Sequence, residues 1–414
     1  MEEHIEGVFI GIDIGPKSTL LSYYHTNMKE PETISTVLGE ENFQIPTFLA
    51  KKRGIGQWFF GNDAMRQVQL NLAVGIDNLF EKAMRREDIY IDTEEYPAEE
   101  LLLIFLKRLL SLPPRSITAL PLLKLVITVE NLDVKSIELF TMLASRMGIS
   151  AKTVLLLDHR ESFYYFALSQ EKQLYMHDVM LYDYTTSNIK HCLLKRNKAM
   201  RPQVINLAYG NHGSVIDDKD KFFDEIVKTT TLSENISAVY LIGDGFDGEW
   251  MKQSLQRLCK GRRVFIGKNL YSKGACYAGA VRSQAVPWEF VYIGNNELKL
   301  NLSLKVIDDN EMKFVTLISA GDSWYDAYGE CEVILDGSPE IECWIQRPDS
   351  RKAIIETLKL TDMPQRENRT TRLRIMAKPV SDTEVTLKVQ DLGFGEIVPA
   401  TNRIWERQIA VTIV

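Results

Sequence analysis

Residues 11–19 read Gly-Ile-Asp-Ile-Gly-Pro-Lys-Ser-Thr, and this stretch decides the fold. An apolar run over residues 8–14 includes Asp13, turns through Gly15 and Pro16, and returns over residues 20–24. The pattern predicts two strands joined by a glycine corner. Such a corner can cradle phosphate, because glycine lets the backbone approach an anion and successive N–H groups supply donors. Gly15, Lys17 and Ser18 are the cradle candidates. Asp13 is placed to hold magnesium through water, since that ion prefers oxygen ligands and keeps its hydration. Taken alone, the same nine residues describe an ordinary hairpin.

The pattern returns twice. Residues 181–188 read Leu-Tyr-Asp-Tyr-Thr-Thr-Ser-Asn, an apolar strand ending in Asp183 and followed by the hydroxyls of Thr185, Thr186 and Ser187. Residues 239–246 read Val-Tyr-Leu-Ile-Gly-Asp-Gly-Phe, a strand running into the corner Gly243-Asp244-Gly245. Between these motifs the chain alternates. Strands are expected over 123–129, 154–157, 179–182 and 238–242, and helices over 97–111, 133–148, 220–228 and 249–260. Asp133 is the expected N-cap of the second helix and Gly148 its stop. Residues 1–285 therefore read as an α/β domain. From residue 298 the helical period is gone. Alternating or β-branched runs over 298–306, 313–318, 331–335, 341–346, 353–360, 371–377 and 384–390 predict an all-β sandwich over 297–414. The junction falls in residues 282–296.

Composition narrows the functional classes. Apolar residues make up 45% and charged residues 25% of 414 residues, a globular balance that excludes disorder. Lys+Arg 49 against Asp+Glu 56 leaves a net charge of −7, which gives the chain as a whole no basic footprint for nucleic acid or an anionic membrane. The five cysteines are scattered and form no C-x-x-C pair, so neither a zinc site nor a disulfide framework is indicated. The acidic start at residues 1–4 does not read as a signal peptide. The apolar stretches are shorter than the roughly 20 residues of a membrane span. The expectation is a cytoplasmic protein without membrane or nucleic-acid partners.

The ordered set of motifs resembles the DnaK-type heat-shock chaperones of the actin-like ATPase superfamily. Residues 43–50 (FQIPTFLA) with 60–64 (FGNDA) resemble that family's "TPSYVAF…IGDAAK" run, residues 127–148 its crossover, and residues 272–281 (SKGACYAGAV) its small-residue helix. Residues 356–395 resemble its substrate-binding β-domain. The resemblance implies an actin-like (ribonuclease H-like) nucleotide domain followed by a β-sandwich that takes a protein or an extended peptide segment. It also implies ATP or ADP with magnesium. Asp13 and Asp183 would face the metal. Gly15, Lys17, Ser18, Thr185 and Thr186 would meet phosphate, and Gly243, Asp244 and Gly245 would flank the nucleoside.

Departures from that family bear on mechanism. Three glycines of the second phosphate loop are replaced here by Thr185, Thr186 and Ser187. The carboxylate at the loop's end becomes Lys190, and the carboxylate beside the metal and attacking water becomes His159. Glu161 faces elsewhere if its segment is helical. Lys82 is a possible counterpart of the family's phosphate lysine, one residue out of alignment, and reads better as a surface helix lysine. About 50 residues separate Asn188 from Ala238 where the family inserts a nucleoside-covering subdomain, and neither its acidic-leucine linker nor its helical lid is found. Phosphoryl transfer depends on positioning and electrostatics, so hydrolysis is expected to be weak or absent. The alternative is a scaffold that keeps the fold and binds no nucleotide; a sugar or acetate kinase is disfavoured by the C-terminal resemblance. His177 and His191 lack metal-ligand spacing, and Phe163–Phe166 reads as core. Trp324, Tyr325 and Tyr328 read as local packing or an exposed partner contact.

Overall fold

The computed structural model describes residues 6–37, 39–185, 187–215, 218–350 and 352–410. They form two compact units: Met1–Lys195 with Leu207–Trp288, and Arg196–Asn206 with Glu289–Val414. Unit 1 is mixed α/β and unit 2 is built of strands.

Unit 1 holds two sheets laid out in the same strand order. In the first, Val154–Asp158, Leu122–Val129 and Val8–Ile14 run parallel, and the chain returns antiparallel through Ser18–Tyr24 to Glu32–Thr33. In the second, Arg263–Gly267, Ile236–Ile242 and Asp178–Asp183 are parallel, with Asn188–Asn197 antiparallel and Gln203–Ser214 next. Apart from the largely exposed edge strand Arg263–Gly267, the parallel strands are apolar almost throughout because helices or neighbouring chain cover both faces; Phe9, Ile12, Leu125, Met180 and Leu241 are buried. Each sheet's central strand carries an aspartate at its C-terminal end: Asp13 opposite Leu20, and Asp183 opposite Lys190.

The helices begin and end where their chemistry dictates. Asp133 accepts the Ser136 N–H at 2.8 Å and the Ser136 hydroxyl accepts the Asp133 N–H at 3.0 Å, a capping box that starts the helix Val134–Arg146. The helix His159–Leu168 starts at Asp158, whose carboxylate accepts the Glu161 N–H at 2.8 Å. It packs against Leu270–Arg282 so closely that a Cβ on Gly274 would lie 2.1 Å from the Ser162 carbonyl oxygen. That approach brings His159 and Tyr271 together. Phe163, Tyr164 and Tyr165 are core, as expected. The helix expected over 249–260 is shorter, Gln253–Leu258. A small sheet of Leu49–Lys52, Trp58–Phe60 and Ala73–Ile76, and the hairpin Asp88–Ile91 with Glu94–Pro97, were not anticipated.

Unit 2 is two four-stranded antiparallel sheets. One has the order Glu311–Ile318, Asn301–Asp308, Glu340–Gln346, Ala353–Lys359; the other has Gly329–Ile334, Arg372–Pro379, Glu384–Gly393, Ile404–Ala410. Alternate residues, among them Leu302, Cys343, Leu373, Ile375, Leu387 and Val389, point into a shared core. Trp324 packs on that core, whereas Tyr328 is exposed with its hydroxyl donated to Glu330 at 2.5 Å. Gln203–Ile205 pair in parallel with Phe290–Tyr292. Among the described residues no helix is long and apolar enough to cross a membrane.

Candidate functional site

The two strand-end aspartates are each engaged by protein groups. His159, the first residue of its helix, directs Nε2 at Asp13 Oδ1, 2.8 Å away. The pair is largely sheltered, with side-chain exposures of 19% for His159 and 13% for Asp13. Burial opposes a charge on the ring, but the Asp13 carboxylate, helped by Asp183 and Glu130, outweighs it and raises the His159 pKa. Nε2–H therefore donates to the carboxylate, and the ring holds its second proton more readily than a free imidazole does. Tyr271 stacks on the same imidazole at 3.8 Å between centroids and 13° between planes. Its hydroxyl donates to Asp183 Oδ2 at 3.1 Å. Burial and the Asp183 charge hold that phenol well above its ordinary pKa, so it keeps its proton.

The other oxygen of Asp183 is also engaged. Asp183 Oδ1 accepts the Thr185 N–H at 2.8 Å and the Thr185 hydroxyl besides. Thr185 thus turns its hydroxyl back on its own loop. Lys190 donates to Glu130, a residue just beyond the first sheet's strand Leu122–Val129. Burial pushes the Glu130 carboxyl up, and Lys190 beside it more than reverses the effect, holding it below its usual range. Glu161 does face elsewhere: it is buried and paired with Arg282 at 3.3 Å.

The glycine corner is filled by Tyr184. The Tyr184 N–H donates to the Ile242 carbonyl at 2.9 Å, and the Gly245 N–H donates to the Tyr184 carbonyl at 2.9 Å. A Cβ on Gly243, at φ +100°, would sit 2.5 Å from the Tyr184 carbonyl carbon and the Thr185 nitrogen; one on Gly245 would sit 2.2 Å from the Tyr184 ring. These glycines make room for the loop after Asp183. Asp244 pairs with Lys268 at 2.8 Å and accepts from Gln44 Nε2 at 3.0 Å.

At the first corner, the Gly15 N–H donates to the Ser18 carbonyl at 3.0 Å, the Thr47 N–H to the Lys17 carbonyl at 3.0 Å, and the Thr47 hydroxyl to the Gly15 carbonyl at 2.8 Å. The donor that Gly15 would offer a phosphate closes the hairpin instead. Lys17 is exposed. Thr186 lies outside the described residues. A cavity of about 810 Å³ opens beside Gly243, lined among others by Thr33, Phe43, Asp247, Lys268, Asn269 and Lys273.

Of the sequence candidates, Asp13 and Asp183 share one network, while Gly243, Gly245 and Thr185 hold the second loop. Glu130 and Tyr271 carried no motif of their own. The donor set does not fit a hydrated magnesium ion: the Asp13 oxygen that faces the network is held by His159 Nε2, and both Asp183 oxygens accept from protein donors. Among the described residues no group of three or more His, Cys, Asp or Glu side chains could hold a metal ion. The corner expected to flank a nucleoside holds Tyr184.

Residues 30–295 match the family described as "Family of unknown function (DUF5716) C-terminal", and residues 297–411 match "Domain of unknown function (DUF8552)". The first match spans more than half of the chain, and the chain belongs to that family. No curated protein matches it.

Proposed function

We propose, for this member of the DUF5716 family, an actin-like ATPase (ribonuclease H-like) fold that acts as a non-enzymatic scaffold. Its β-sandwich would meet a protein or an extended peptide segment. The repeated strand order of the two sheets, each with an aspartate on its central strand, supports the fold reading. One observation carries the loss of nucleotide chemistry: His159 and Tyr271 engage Asp13 and Asp183 from within the chain. A cation placed between the carboxylates would have to displace the His159 and Tyr271 donors that already hold them.

A second reading, a DnaK-like chaperone-related protein that binds ATP or ADP with magnesium, draws on the cavity beside Gly243 and its lysines. Titration calorimetry of the full chain with ATP and ADP, with and without magnesium, separates the two. The scaffold reading expects no heat and no thermal stabilisation at millimolar nucleotide. Micromolar, magnesium-dependent binding that Asp13→Ala abolishes would overturn it and leave the chaperone-related reading standing.

A further inference from the structure

We propose that Ala353–Lys359, an edge strand of unit 2, pairs antiparallel with the same strand of a second copy about a two-fold axis at Ile354. This inference is independent of the nucleotide question. An unpaired strand edge presents a row of free backbone groups that invites another strand unless charge, proline or cover blunts it. The two four-stranded sheets of unit 2 have four such edges. Glu311–Ile318 exposes Met312 and Phe314 but sets Glu311 and Lys313 beside them, and its far half is approached by Gly329, where a Cβ would lie 2.0 Å from the Leu317 carbonyl oxygen. Gly329–Ile334 carries Glu330 and Glu332, and Ile404–Ala410 carries Glu406 and Arg407. Ala353–Lys359 instead starts with Ala353, Ile354 and Ile355 exposed in succession, the two isoleucines at 59% and 49%.

The sequence of this edge selects its occupant and register. Its partner strand places Ile354, Glu356 and Leu358 on the core side, opposite Ile345, Cys343 and Ile341, and Ile355 on the outer side, opposite Trp344. Two copies whose sheets continue into one another must oppose residues of the same face. Centring the axis on Ile354 sets Ile354 against itself and Ala353 against Ile355. It also sets Lys352 of each copy against Glu356 of the other. Both charges are accessible: Lys352 is exposed, and Glu356, held by Arg407 at 3.2 Å, keeps a side-chain exposure of 30%. Centring on Ile355 would oppose Glu356 to Ile354, centring on Glu356 would oppose it to itself, and centring on Ala353 would oppose Lys352 to Ile354. Only the Ile354 register joins two opposite-charge pairs to an apolar centre.

Sedimentation equilibrium of the full chain tests the proposal. The wild type is expected to dimerise in the micromolar range. Lys352→Glu and Glu356→Lys are each expected to weaken the dimer by about tenfold or more, and the combined swap to restore it. Circular dichroism confirms that each variant is folded, and Lys352→Glu, on an exposed residue, guards against a folding failure at Glu356. In a Cys259→Ser background, Ile354→Cys is expected to form a disulfide-linked dimer under mild oxidation, while Ile355→Cys, displaced from its own copy in this register, stays reduced. A monomer at every concentration would overturn the proposal and leave the edge open to an extended peptide. A dimer indifferent to both charge reversals, or cross-linked through residue 355 rather than 354, would overturn the assigned edge and register.

Discussion

Replacing Asp13 and His159 singly and together measures the internal clasp directly. His159 Nε2 lies 2.8 Å from Asp13 Oδ1, and both side chains are more than four-fifths covered. Removing one partner of a sheltered ion pair strands the other, a loss of about 3–5 kcal/mol; the residual exposure here places the expected cost of Asp13→Ala near the lower bound, about 3 kcal/mol. His159→Ala should cost about the same or slightly more, since it also gives up the stacking on Tyr271, which is worth about 0.5–1.5 kcal/mol. Once one partner is gone, removing the other should cost about 1 kcal/mol, so the double variant should fall short of the sum by about 2 kcal/mol. At about 2–4 °C per kcal/mol, each single change lowers the unit 1 thermal transition by about 6–12 °C. The coupling also has a pH signature. Because the His159 pKa is raised on folding, the contribution is fully present below the ordinary histidine value of about 6.5 and is lost as pH rises through the raised value. Additive single effects, or a coupling that grows toward alkaline pH, would refute the clasp.

Two further outcomes follow from contacts elsewhere. Gly245→Ala places a methyl 2.2 Å from the Tyr184 ring and should destabilise unit 1 by about 1–3 kcal/mol; the penalty should shrink in a Tyr184→Ala background, and an equal penalty in both would show that Tyr184 is not what fills the corner. In unit 2, the fully buried Asp391 carboxylate accepts from Arg366 at 2.8 and 2.9 Å, from the Gly393 N–H at 2.9 Å and from the Thr401 N–H at 3.0 Å. Burial pushes its pKa up, but these donors outweigh it and hold the carboxyl well below its usual range. Its contribution is therefore present above the ordinary aspartate value of about 4 and is lost as pH falls through the depressed one. Asp391→Asn should cost about 3–5 kcal/mol at neutral pH and flatten the acid limb of the unit 2 transition, as followed by denaturant unfolding across pH.

The parts of the fold legible in the sequence are those in which local chemistry and tertiary packing agree. Asp133 and Gly148 bracket a helix because one caps its N–H groups and the other, at φ +76°, leaves the helical region at its end. The apolar runs ending at Asp13 and Asp183 are legible because a strand buried on both faces needs no alternation. The strand Gln203–Ser214 was hidden: its outer residues, Asn206 through Ser214, mix small and polar side chains that are mostly half-buried or exposed, leaving no period of two. Ile404–Ala410 was missed because Glu406, Arg407 and Gln408 interrupt its apolar positions. At the site, His159 and Lys190 stand out in the sequence, but their partners do not. Asp13 is 146 positions from His159, and Glu130 is 60 from Lys190. Tyr271 stands among small helix residues, and Tyr184 reads as a loop residue until the corner it fills is in place.

The residues of this region fit one another. A loop with Tyr184, Thr185 and Ser187 cannot approach an anion as a glycine loop does, and Tyr184 requires Gly243 and Gly245 to remain small. The carboxylates of Asp13, Glu130 and Asp183 accept from His159, Lys190 and Tyr271 respectively. Each therefore has a donor supplied by the chain itself. The positions of Asp13 and Asp183 are accounted for by these internal contacts. It also follows that His159→Asp should not by itself create a metal site. Such a variant places two negative charges within hydrogen-bonding distance while Tyr271 and Thr185 still occupy Asp183. Its first effect should be loss of unit 1 stability through like-charge repulsion.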